Sequence, residues 1–374
     1  MPSDSKTIDE EGVLFKQELI VRDGKFLEDE LHTLLNSGTY PARNSHQNVA
    51  DLKAQVAANT RGINEMKSLI SDWGQTMVLD YLQHVQDNAD ECMRRTIQNL
   101  HPGQFTCTMD DGSEITVDIS INKAKRTAIV DFTGTSQQSE SNLNAPLAVT
   151  KAAVLYVFRT LIRDDIPLNA GCFVPLELRV PSSSLLNPEY PAAVVAGNVE
   201  TSQVIVDTLY GALGIMAGAQ GTMNNLSFGN ERYQYYETIC GGTGAGESFN
   251  GSGPVQSHMT NSRLTDPEVL ETLFPVIVEH FRHRPGSGGA GKYRGGDGAI
   301  RRIRFKEPML ASILSNRRST VPHGLAGGKA GAPGRNFLAK PNGKTVELEA
   351  RAKVQLQAGD CLEIETPGGG GFGA

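Results

Sequence analysis

Seven glycines lie in the fifteen-residue stretch Arg284-Pro-Gly-Ser-Gly-Gly-Ala-Gly-Lys-Tyr-Arg-Gly-Gly-Asp-Gly298. Glycine reaches positive φ without penalty and lets backbone groups approach a ligand or another strand closely. A helix or regular strand does not tolerate this density, so we expect loops and sharp turns. Arg284, Lys292 and Arg294 place cations among the backbone amides, which would suit an anion, and Asp297 is the lone acid. Tight turns between short strands are the alternative. The spacing fits neither a P-loop nor a dinucleotide-binding fingerprint.

The composition excludes several functional classes. The chain has 374 residues, enough for a large core and two or three domains. A net charge of −7 without a long basic run argues against a nucleic-acid partner. No 18-residue apolar run or apolar leader is present, so neither membrane spanning nor secretion is indicated. The five cysteines form no C-x-x-C pair, which favours a reduced, cytoplasmic compartment.

A seven-residue hydrophobic repeat predicts a helical hairpin over residues 46–100. Val49, Val56, Ile63 and Ile70 recur every seven residues, as in an amphipathic helix with a coiled-coil-like stripe. Gly74 follows, where a helix end is expected, and a second amphipathic helix runs to about residue 98. The stripe indicates either packing within the chain or a contact with another subunit.

The remaining residues, 101–374, are predicted to form a glycine-rich α/β body. Three segments with a period of two, residues 105–108, 115–121 and 127–132, indicate antiparallel strands. We therefore expect an α/β (mixed α+β) fold with mixed and antiparallel sheets around buried helices. The tail ends in Gly368-Gly-Gly-Gly-Phe-Gly-Ala374, and Phe372 favours a tail that folds back over the body, although a flexible tail is the alternative.

The helix predicted over Val204–Ala217 is apolar on nearly every side, which is typical of a central helix. The residues before it, Asn198, Glu200 and Thr201, lie where free amides and the positive end of the helix dipole point out of the core. They are candidates for binding a ligand. Helix capping by Thr201 is the alternative.

The segment His258-Met-Thr-Asn-Ser-Arg-Leu-Thr-Asp-Pro-Glu268 is the densest group of chemically capable side chains. Its second half is typical of a helix start, so Asp266 and Glu268 are interpreted as capping residues. His258, Asn261 and Arg263 precede that helix and are the better candidates for a site.

A second candidate is Ser315-Asn-Arg-Arg318, which follows a predicted strand. Arginine binds carboxylate or phosphate through paired hydrogen bonds, so Asn316 and Arg318 are candidates for substrate binding. Exposure on the surface is the alternative.

These motifs together resemble the hydantoinase B/oxoprolinase family, over essentially the whole chain. The likeness is strongest to the C-terminal part of its ATP-dependent 5-oxoprolinase branch. The motifs that carry it are Gly197-Asn-Val-Glu-Thr-Ser-Gln203, Gly241-Gly-Thr-Gly-Ala-Gly246, His258 to Glu268, Gly286-Ser-Gly-Gly-Ala-Gly291, Tyr293-Arg-Gly-Gly-Asp-Gly298 and Thr366 to Gly373.

The resemblance implies an ATP-driven opening of 5-oxo-L-proline to L-glutamate. It implies that a hydantoinase A-like half or subunit binds ATP and Mg²⁺ and activates the substrate by phosphorylation. The hydantoinase B-like part then handles the activated ring and its hydrolysis. A glycine-lined site that carries cations would suit such an anionic intermediate. The resemblance also implies a cytoplasmic homo-oligomer.

The start of the chain resembles a segment that lies well inside the family domain. Family members carry an Asp/His-rich segment upstream of it, which supplies the ligands of a divalent metal in relatives such as acetone carboxylase. We therefore expect that metal in the upstream segment and ATP on the other half, with no cofactor held by this chain itself. His280 and His283 are the nearest histidine pair and lack metal-ligand spacing.

The resulting hypothesis gives each candidate residue a role. His258 serves as acid and base, and Asp297 orients one of the arginines at the reaction centre. The expected substrate-binding residues are Asn198, Glu200, Thr201, Asn261, Arg263, Arg294, Asn316 and Arg318. Two alternatives stay open: a non-catalytic module that only binds a sister subunit through residues 46–99, and a subunit of a hydantoinase or an acetone carboxylase.

Overall fold

The structure is a computed structural model that describes residues 2–42 and 44–374. Its N-terminal region contains a two-stranded ribbon, β1 (Val21–Arg22) and β2 (Lys25–Phe26), followed by helix α1 (Glu28–Leu35). Leu31 and Leu35 of this helix pack against Val49 and form a small separate hydrophobic cluster.

Two long helices, α2 (Ser45–Trp73) and α3 (Gln75–Gln98), confirm the predicted helical pair. Gly74 joins them with φ 81°, a value that glycine reaches at no cost. Most of the buried residues lie at the ends remote from this joint: Val49 on α2, and Ala89, Cys92, Met93 and Ile97 on α3. Near the joint Val78 is buried, while most of the neighbouring residues are exposed.

The first large sheet has the strand order β3-β4-β5-β6. Its strands are β3 (Gly103–Thr108), β4 (Glu114–Asn122), β5 (Thr127–Asp131) and β6 (Leu176–Arg179). The first three are antiparallel, as their period-two pattern predicts, and β6 joins in parallel. Helices α4 (Leu147–Thr160) and α5 (Ser202–Leu213) share one hydrophobic core with this sheet and α3.

Helix α5 is the central helix, and all twelve of its residues are buried. It ends at Leu213 rather than at the predicted Ala217, because Gly214 adopts a left-handed conformation that terminates it. A π-helical turn, Gly197–Thr201, precedes α5. Most of this turn is buried, and a Cβ on Gly197 would collide with the backbone of Asn144 and Ala145. The prediction of a helix start that points out of the core is therefore wrong for Glu200 and Thr201, whereas Asn198 is exposed.

Two further sheets enclose the second core. One has the order β14-β11-β7-β8 and the other the order β13-β12-β15-β10-β9, and every pairing in them is antiparallel. The short helix α6 (Pro267–Leu273) adds Leu270 to this core. The strands are β7 (Asn225–Gly229), β8 (Gln234–Thr238), β9 (Val276–Arg284), β10 (Gly298–Phe305), β11 (Met309–Leu314), β12 (Arg335–Ala339), β13 (Thr345–Leu348), β14 (Arg351–Leu356) and β15 (Cys361–Glu365).

A buried ion pair links these two sheets. Arg301 on β10 donates from Nε and Nη2 to the two carboxylate oxygens of Glu237 on β8, at 2.8 and 2.9 Å, and both side chains are 1% exposed. Bidentate geometry of this kind offsets part of the cost of removing both charges from water.

Glycine segments from four parts of the chain pack backbone against backbone. The tail runs through their centre: the Gly369 amide donates to the Gly296 carbonyl, and the Gly289 amide donates to the Gly369 carbonyl. The Gly296 amide in turn donates to Thr243. We call this arrangement the glycine core; its segments are residues 241–246, 286–296, 323–334 and 366–373.

The tail folds back over the body, in agreement with the expectation drawn from Phe372. Phe372 is 9% exposed and forms backbone bridges with Tyr293 and Leu325. The predicted loops and turns are confirmed for residues 285–297, which lie between β9 and β10 and form no helix or strand. Many of the amides in this stretch are not free for an anion, however, because those of Gly289, Lys292, Tyr293, Gly295 and Gly296 donate to backbone carbonyls.

No described helix within residues 2–42 and 44–374 has both the length and the apolar character that a membrane crossing requires. The five cysteines are all buried free thiols. The division of the chain into a hairpin and a body at residue 100 stays a prediction.

The glycine core predicts a sharp contrast between two glycine-to-alanine changes. A Cβ on Gly369 would lie less than 3.0 Å from the carbonyl group of Thr243, whereas a Cβ on Gly62 in α2 meets nothing within 4 Å. We expect Gly369→Ala to lower the free energy of unfolding by about 3 kcal/mol or more, because backbone must shift. Gly62→Ala should raise the free energy of unfolding by about 0.5–1 kcal/mol, since alanine favours a helix. Denaturant unfolding measures both changes, and equal effects would contradict the packing.

Candidate active site

A polar face on the otherwise apolar helix α5 forms the base of the candidate site. Gln203 and Asp207 are four residues apart, so they lie on one side of the helix, and both are at most 1% exposed. Buried polar groups require partners, and these two side chains find them in loops that cross α5.

Gln203 fixes the loop that carries the densest group of predicted site residues. Its Nε2 donates to the Ser257 carbonyl at 3.3 Å and to Thr260 Oγ1 at 2.6 Å. Between these two points His258 has φ 56°, a left-handed conformation unusual for a residue other than glycine. The His258 side chain is 5% exposed and packs against the rings of Tyr156 and Tyr210.

His258 lies between a tyrosine and an aspartate. Its Nδ1 is 3.4 Å from the Tyr156 hydroxyl, and its Nε2 is 3.7 Å from Asp207 Oδ1. The Tyr210 ring packs against the imidazole, with 5.6 Å between ring centroids. Burial lowers the pKa of His258 to about 4, so the imidazole is neutral near pH 7.

Asp207 joins His258 to a buried arginine. Its Oδ1 accepts a hydrogen bond from the Ala219 amide at 2.9 Å, and its Oδ2 accepts one from Arg317 Nη2 at 3.4 Å. Burial raises the pKa of Asp207 to about 6, and Arg317 opposes this rise. The carboxylate is therefore mostly ionised near pH 7 and is balanced by Arg317, which is 2% exposed.

Several polar atoms of this cluster lack a hydrogen-bond partner among the described residues. They are His258 Nε2, Gln203 Oε1, Ser257 Oγ and Arg317 Nε. Buried polar atoms without a partner are uncommon in a folded core. The neutral imidazole consequently has one ring nitrogen that is not committed to a hydrogen bond with the chain.

A surface cleft of about 400 Å³ lies on the outer side of the same loop. Its lining residues are Cys240, Pro254, Val255, Gln256, Thr260, Asn261, Ser262, Arg263 and Leu264. Asn261 and Arg263 are exposed there, so the structure brings two of the predicted substrate-binding residues together with the loop of His258. Gln256 is held by Thr238, and its Oε1 has no partner in the described part of the chain.

Burial raises the pKa of the Cys240 thiol to about 11. Cys240 is therefore protonated near pH 7 and offers no thiolate nucleophile to the cleft.

Glu200 and Thr201 are buried rather than presented to solvent. Glu200 Oε1 accepts hydrogen bonds from the Met223 amide and from Asn225 Nδ2, and Thr201 donates to the Leu143 carbonyl. Burial raises the pKa of Glu200 to about 8. Asn198 is exposed on the turn before α5. Substrate binding by these three residues stays a prediction, although internal bonds already occupy the first two.

Asn316 and Arg318 lie in an internal network. Arg318 donates to Asn224 Oδ1 and Asn336 Oδ1, while Asn316 accepts from the Asp110 amide. The alternative of a freely solvated arginine pair is therefore wrong for Arg318, and Arg317 is the more deeply buried of the two. Contact of Asn316 or Arg318 with a substrate stays a prediction.

Asp297 and Arg294 are joined as expected, by a hydrogen bond of 2.8 Å from Arg294 Nη2. Asp297 Oδ1 also accepts from the Gly288 amide. The backbone of Asp297 supports the cleft, because a Cβ on Gly253, next to Pro254, would collide with it. These contacts fit a structural role, and a catalytic role for Asp297 stays a prediction.

Sequence reasoning missed Asp207 and Tyr156, and it placed Arg317 only within the candidate segment Ser315–Arg318, without this partner. Asp207 lies within an apolar helix and stands in no motif. The available signal was a charged residue in a helix that is otherwise apolar, because a buried charge requires a partner.

The described residues do not fit a resident metal. Within residues 2–42 and 44–374, no three His, Cys, Asp or Glu side chains are arranged to hold one.

The fold and the sequence together define the class of protein. A family model described as hydantoinase B/oxoprolinase matches residues 1–374, and the chain belongs to this family. It is 44% identical to a 5-oxoprolinase of Dictyostelium discoideum and 43% identical to 5-oxoprolinase 1 of Arabidopsis thaliana. Both matches cover 100% of this chain but only 30% and 31% of those proteins, and they identify it with the C-terminal part of such enzymes.

The fold is also that of a solved enzyme structure. The ATP-dependent caprolactamase from Pseudomonas jessenii aligns with a TM-score of 0.80 at 20% sequence identity. The alignment covers 95% of this chain and 65% of the caprolactamase chain. At this identity the likeness establishes the fold, and the chain spans about 30% of the length of the 5-oxoprolinases it matches.

The buried imidazole predicts that the contribution of His258 to stability falls in mild acid, whereas the raised pKa values of Asp207 and Glu200 act in the opposite direction. The pKa of His258 is about 4 in the folded chain and about 6.5 when unfolded, so the unfolded state takes up the proton first as pH falls. The stability contributed by neutral His258 is complete above pH 6.5 and lost as pH approaches 4. Between pH 7 and pH 5 this costs about 2 kcal/mol. Guanidinium unfolding at pH 7 and pH 5 isolates this contribution as a difference: the free energy of unfolding should fall less, or rise more, in His258→Gln than in the wild type, and the same change in both would contradict the assignment.

Proposed function

We propose that this chain is the hydantoinase B-like C-terminal part of a 5-oxoprolinase. With a hydantoinase A-like half that binds ATP and Mg²⁺, it hydrolyses 5-oxo-L-proline to L-glutamate in the cytoplasm. The observation that carries the proposal is the 44% identity with a 5-oxoprolinase along the whole chain. The cleft and the buried His258 cluster are the chemical support.

An unstrained five-membered lactam resists attack by water, so the reaction requires an activated ring. ATP supplies that activation on the other half, by phosphorylating the amide oxygen. The residues of this chain then need to hold an anionic ring and move a proton to or from water or the ring nitrogen. A neutral histidine and an exposed cation are the groups suited to those two tasks.

His258 is the proposed acid and base. Its neutral state near pH 7 leaves a ring nitrogen able to accept a proton, and Asp207 lies where it stabilises the imidazolium that results. Arg317 keeps Asp207 ionised, so the cluster has a charge ready to balance the transferred proton. The Tyr156 hydroxyl, next to Nδ1, orients the imidazole ring of His258 from the side opposite Asp207.

Arg263 and Asn261 are the proposed binding groups for the substrate. The α-carboxylate of 5-oxo-L-proline is a natural partner for an exposed guanidinium, and the amide of Asn261 can bond the ring. The cleft of about 400 Å³ has room for so small a ligand. Asn198, Arg294 and Arg318 are further candidates for neutralising a carboxylate or phosphate.

A subunit-binding module without catalysis is the second candidate function. The observation that favours it is the helical pair, on which large apolar side chains are exposed around Gly74. A third candidate function is that of a hydantoinase or acetone carboxylase subunit. Measuring turnover of a panel of cyclic amides and of acetone distinguishes it from a 5-oxoprolinase.

Glutamate release from 5-oxo-L-proline and ATP tests the proposal. We expect activity when this chain is mixed with a separately produced ATP-binding half, and His258→Gln should lower kcat by on the order of 10²- to 10⁴-fold. Asp207→Asn should lower kcat less and alter its pH profile. A folded chain that stays inactive in the mixture would favour the binding module.

The proposed carboxylate site predicts a separate effect on substrate affinity. Arg263→Ala should raise KM by about 10- to 100-fold with a smaller change in kcat, since a charged hydrogen bond contributes about 1.5–3 kcal/mol. Arg282→Ala is the matched control, because Arg282 is an exposed arginine on β9 outside the cleft. Equal KM values for both variants would exclude Arg263 from binding.

A further inference from the structure

Three hydroxyl side chains connect the buried imidazole of His258 to the protein surface. Tyr156 and Thr160 are four residues apart on α4, so they lie on one side of that helix. Tyr210 is three residues after Asp207 on α5 and shares the side of α5 that approaches His258. Because α4 and α5 pack against each other, the three hydroxyls meet beside the imidazole.

The hydroxyls follow one another from the imidazole outward. The Tyr156 hydroxyl is 3.4 Å from His258 Nδ1, and the Tyr210 hydroxyl is 2.7 Å from Thr160 Oγ1. Both tyrosine rings pack against the imidazole, with ring centroids 5.9 and 5.6 Å from it. The two tyrosine hydroxyls are also neighbours: burial raises the pKa of Tyr210, and a hydrogen bond with the Tyr156 hydroxyl raises it further.

This row of hydroxyls leads from the interior to solvent. The His258 side chain and Tyr210 are each 5% exposed, whereas Tyr156 is half-buried and Thr160 is exposed. The charged partners of the imidazole do not offer such a route, because Asp207 and Arg317 are themselves 1% and 2% exposed. A proton that leaves His258 through the hydroxyls therefore reaches water without passing a buried charge.

The hydrogen bonds fit a single direction of donation. Thr160 Oγ1 donates to the Val157 carbonyl at 2.6 Å, so it is free to accept from the Tyr210 hydroxyl. Tyr210 then accepts from Tyr156, and Tyr156 accepts from the N–H of His258 Nδ1. In this order Nε2, which has no hydrogen-bond partner among the described residues, is the nitrogen that receives a proton.

We propose that Tyr156, Tyr210 and Thr160 form a proton relay between His258 Nδ1 and solvent. When Nε2 takes a proton from water in the base step, Nδ1 gives its proton to Tyr156. Each hydroxyl accepts one proton and passes on its own, and Thr160 releases one proton to water. In the acid step Nε2 protonates the leaving ring nitrogen, and the relay returns a proton to Nδ1.

The protons balance at each step, and no other bond forms or breaks. The relay lets a buried imidazole act as base and then as acid without opening of the site. The three residues act through His258. Their part in turnover rests on the proposed function, whereas the path from Nδ1 to solvent is a property of the fold and is testable in this chain alone.

Exchange of the His258 ring proton with water tests the path. In the chain labelled with ¹⁵N-histidine, the His258 signal is identified by its absence from His258→Gln. We expect the proton on Nδ1, and exchange faster than that of the α5 backbone amides, which requires opening of the fold. Tyr210→Phe keeps the ring beside the imidazole but removes one hydroxyl, and it should slow the exchange by about 10-fold or more, to the rate of local opening.

Two further variants serve as controls. Thr160→Val should slow the exchange, whereas Thr160→Ser, which keeps the hydroxyl, should not. Tyr236→Phe is the matched tyrosine control, because its hydroxyl bonds Asn225 Oδ1 at 2.7 Å, outside the relay. Circular dichroism checks that each variant keeps its fold. A ring proton on Nε2 overturns the proposal. Exchange in Tyr210→Phe that equals or exceeds the wild-type rate also overturns it, since loosened packing alone would speed the exchange.

Glutamate release in the mixture with the ATP-binding half tests the part that the relay has in turnover. Tyr210→Phe should lower kcat by about 10-fold or more and increase the solvent deuterium isotope effect on kcat, with little change in KM. Tyr236→Phe should change neither. An active mixture whose kcat and isotope effect are unaffected by Tyr210→Phe overturns the role in turnover. An inactive wild-type mixture counts against the proposed function instead, and the exchange rates then decide whether the path exists.

Discussion

The close approach of glycine backbones is the constraint on which the C-terminal two-thirds of the structure depends. The tail passes through the centre of the glycine core, where a Cβ on Gly368 or Gly369 would collide with Ser287 or Thr243. Each crossing is fixed by amide-to-carbonyl hydrogen bonds, so the density of glycine reflects packing rather than anion binding. The last residues of the chain are therefore part of the fold's interior and hold distant segments together.

The loop that forms the candidate site contacts the glycine core on one side and helix α5 on the other. On one side, Gly251 and Gly253 pack against the backbone of residues 295–297, immediately before the cleft begins at Pro254. On the other side, Gln203 bonds the same loop and Asp207 approaches His258. A loop supported at both ends can place a cleft outside and a buried imidazole inside. These groups lie in surroundings of low dielectric constant. There the positive charge of Arg317 balances the negative charge of Asp207, and burial keeps His258 neutral.

The sequence predicted the parts of this structure that depend on local pattern. The helical pair, the strands β3 to β5 and the irregular stretch at 285–297 follow from periodicity and glycine content, and the family resemblance is confirmed by the match over the whole chain. Partners distant in sequence were not predictable. Asp207 and Arg317 are 110 residues apart, and no spacing rule brings them together. Glu200 illustrates the same limit, because the sequence places it beside a helix start and does not reveal that its side chain is buried in the core.

A crystal structure of this chain bound to the ATP-binding half and 5-oxo-L-proline would test the central claim most directly. The account predicts that the ligand lies in the cleft of residues 254–264, with its carboxylate within hydrogen-bond distance of Arg263 and its ring facing the loop of His258. A ligand seated elsewhere, with the Asp207–His258–Arg317 cluster sealed away from it, would contradict the assignment of this cluster to the chemistry.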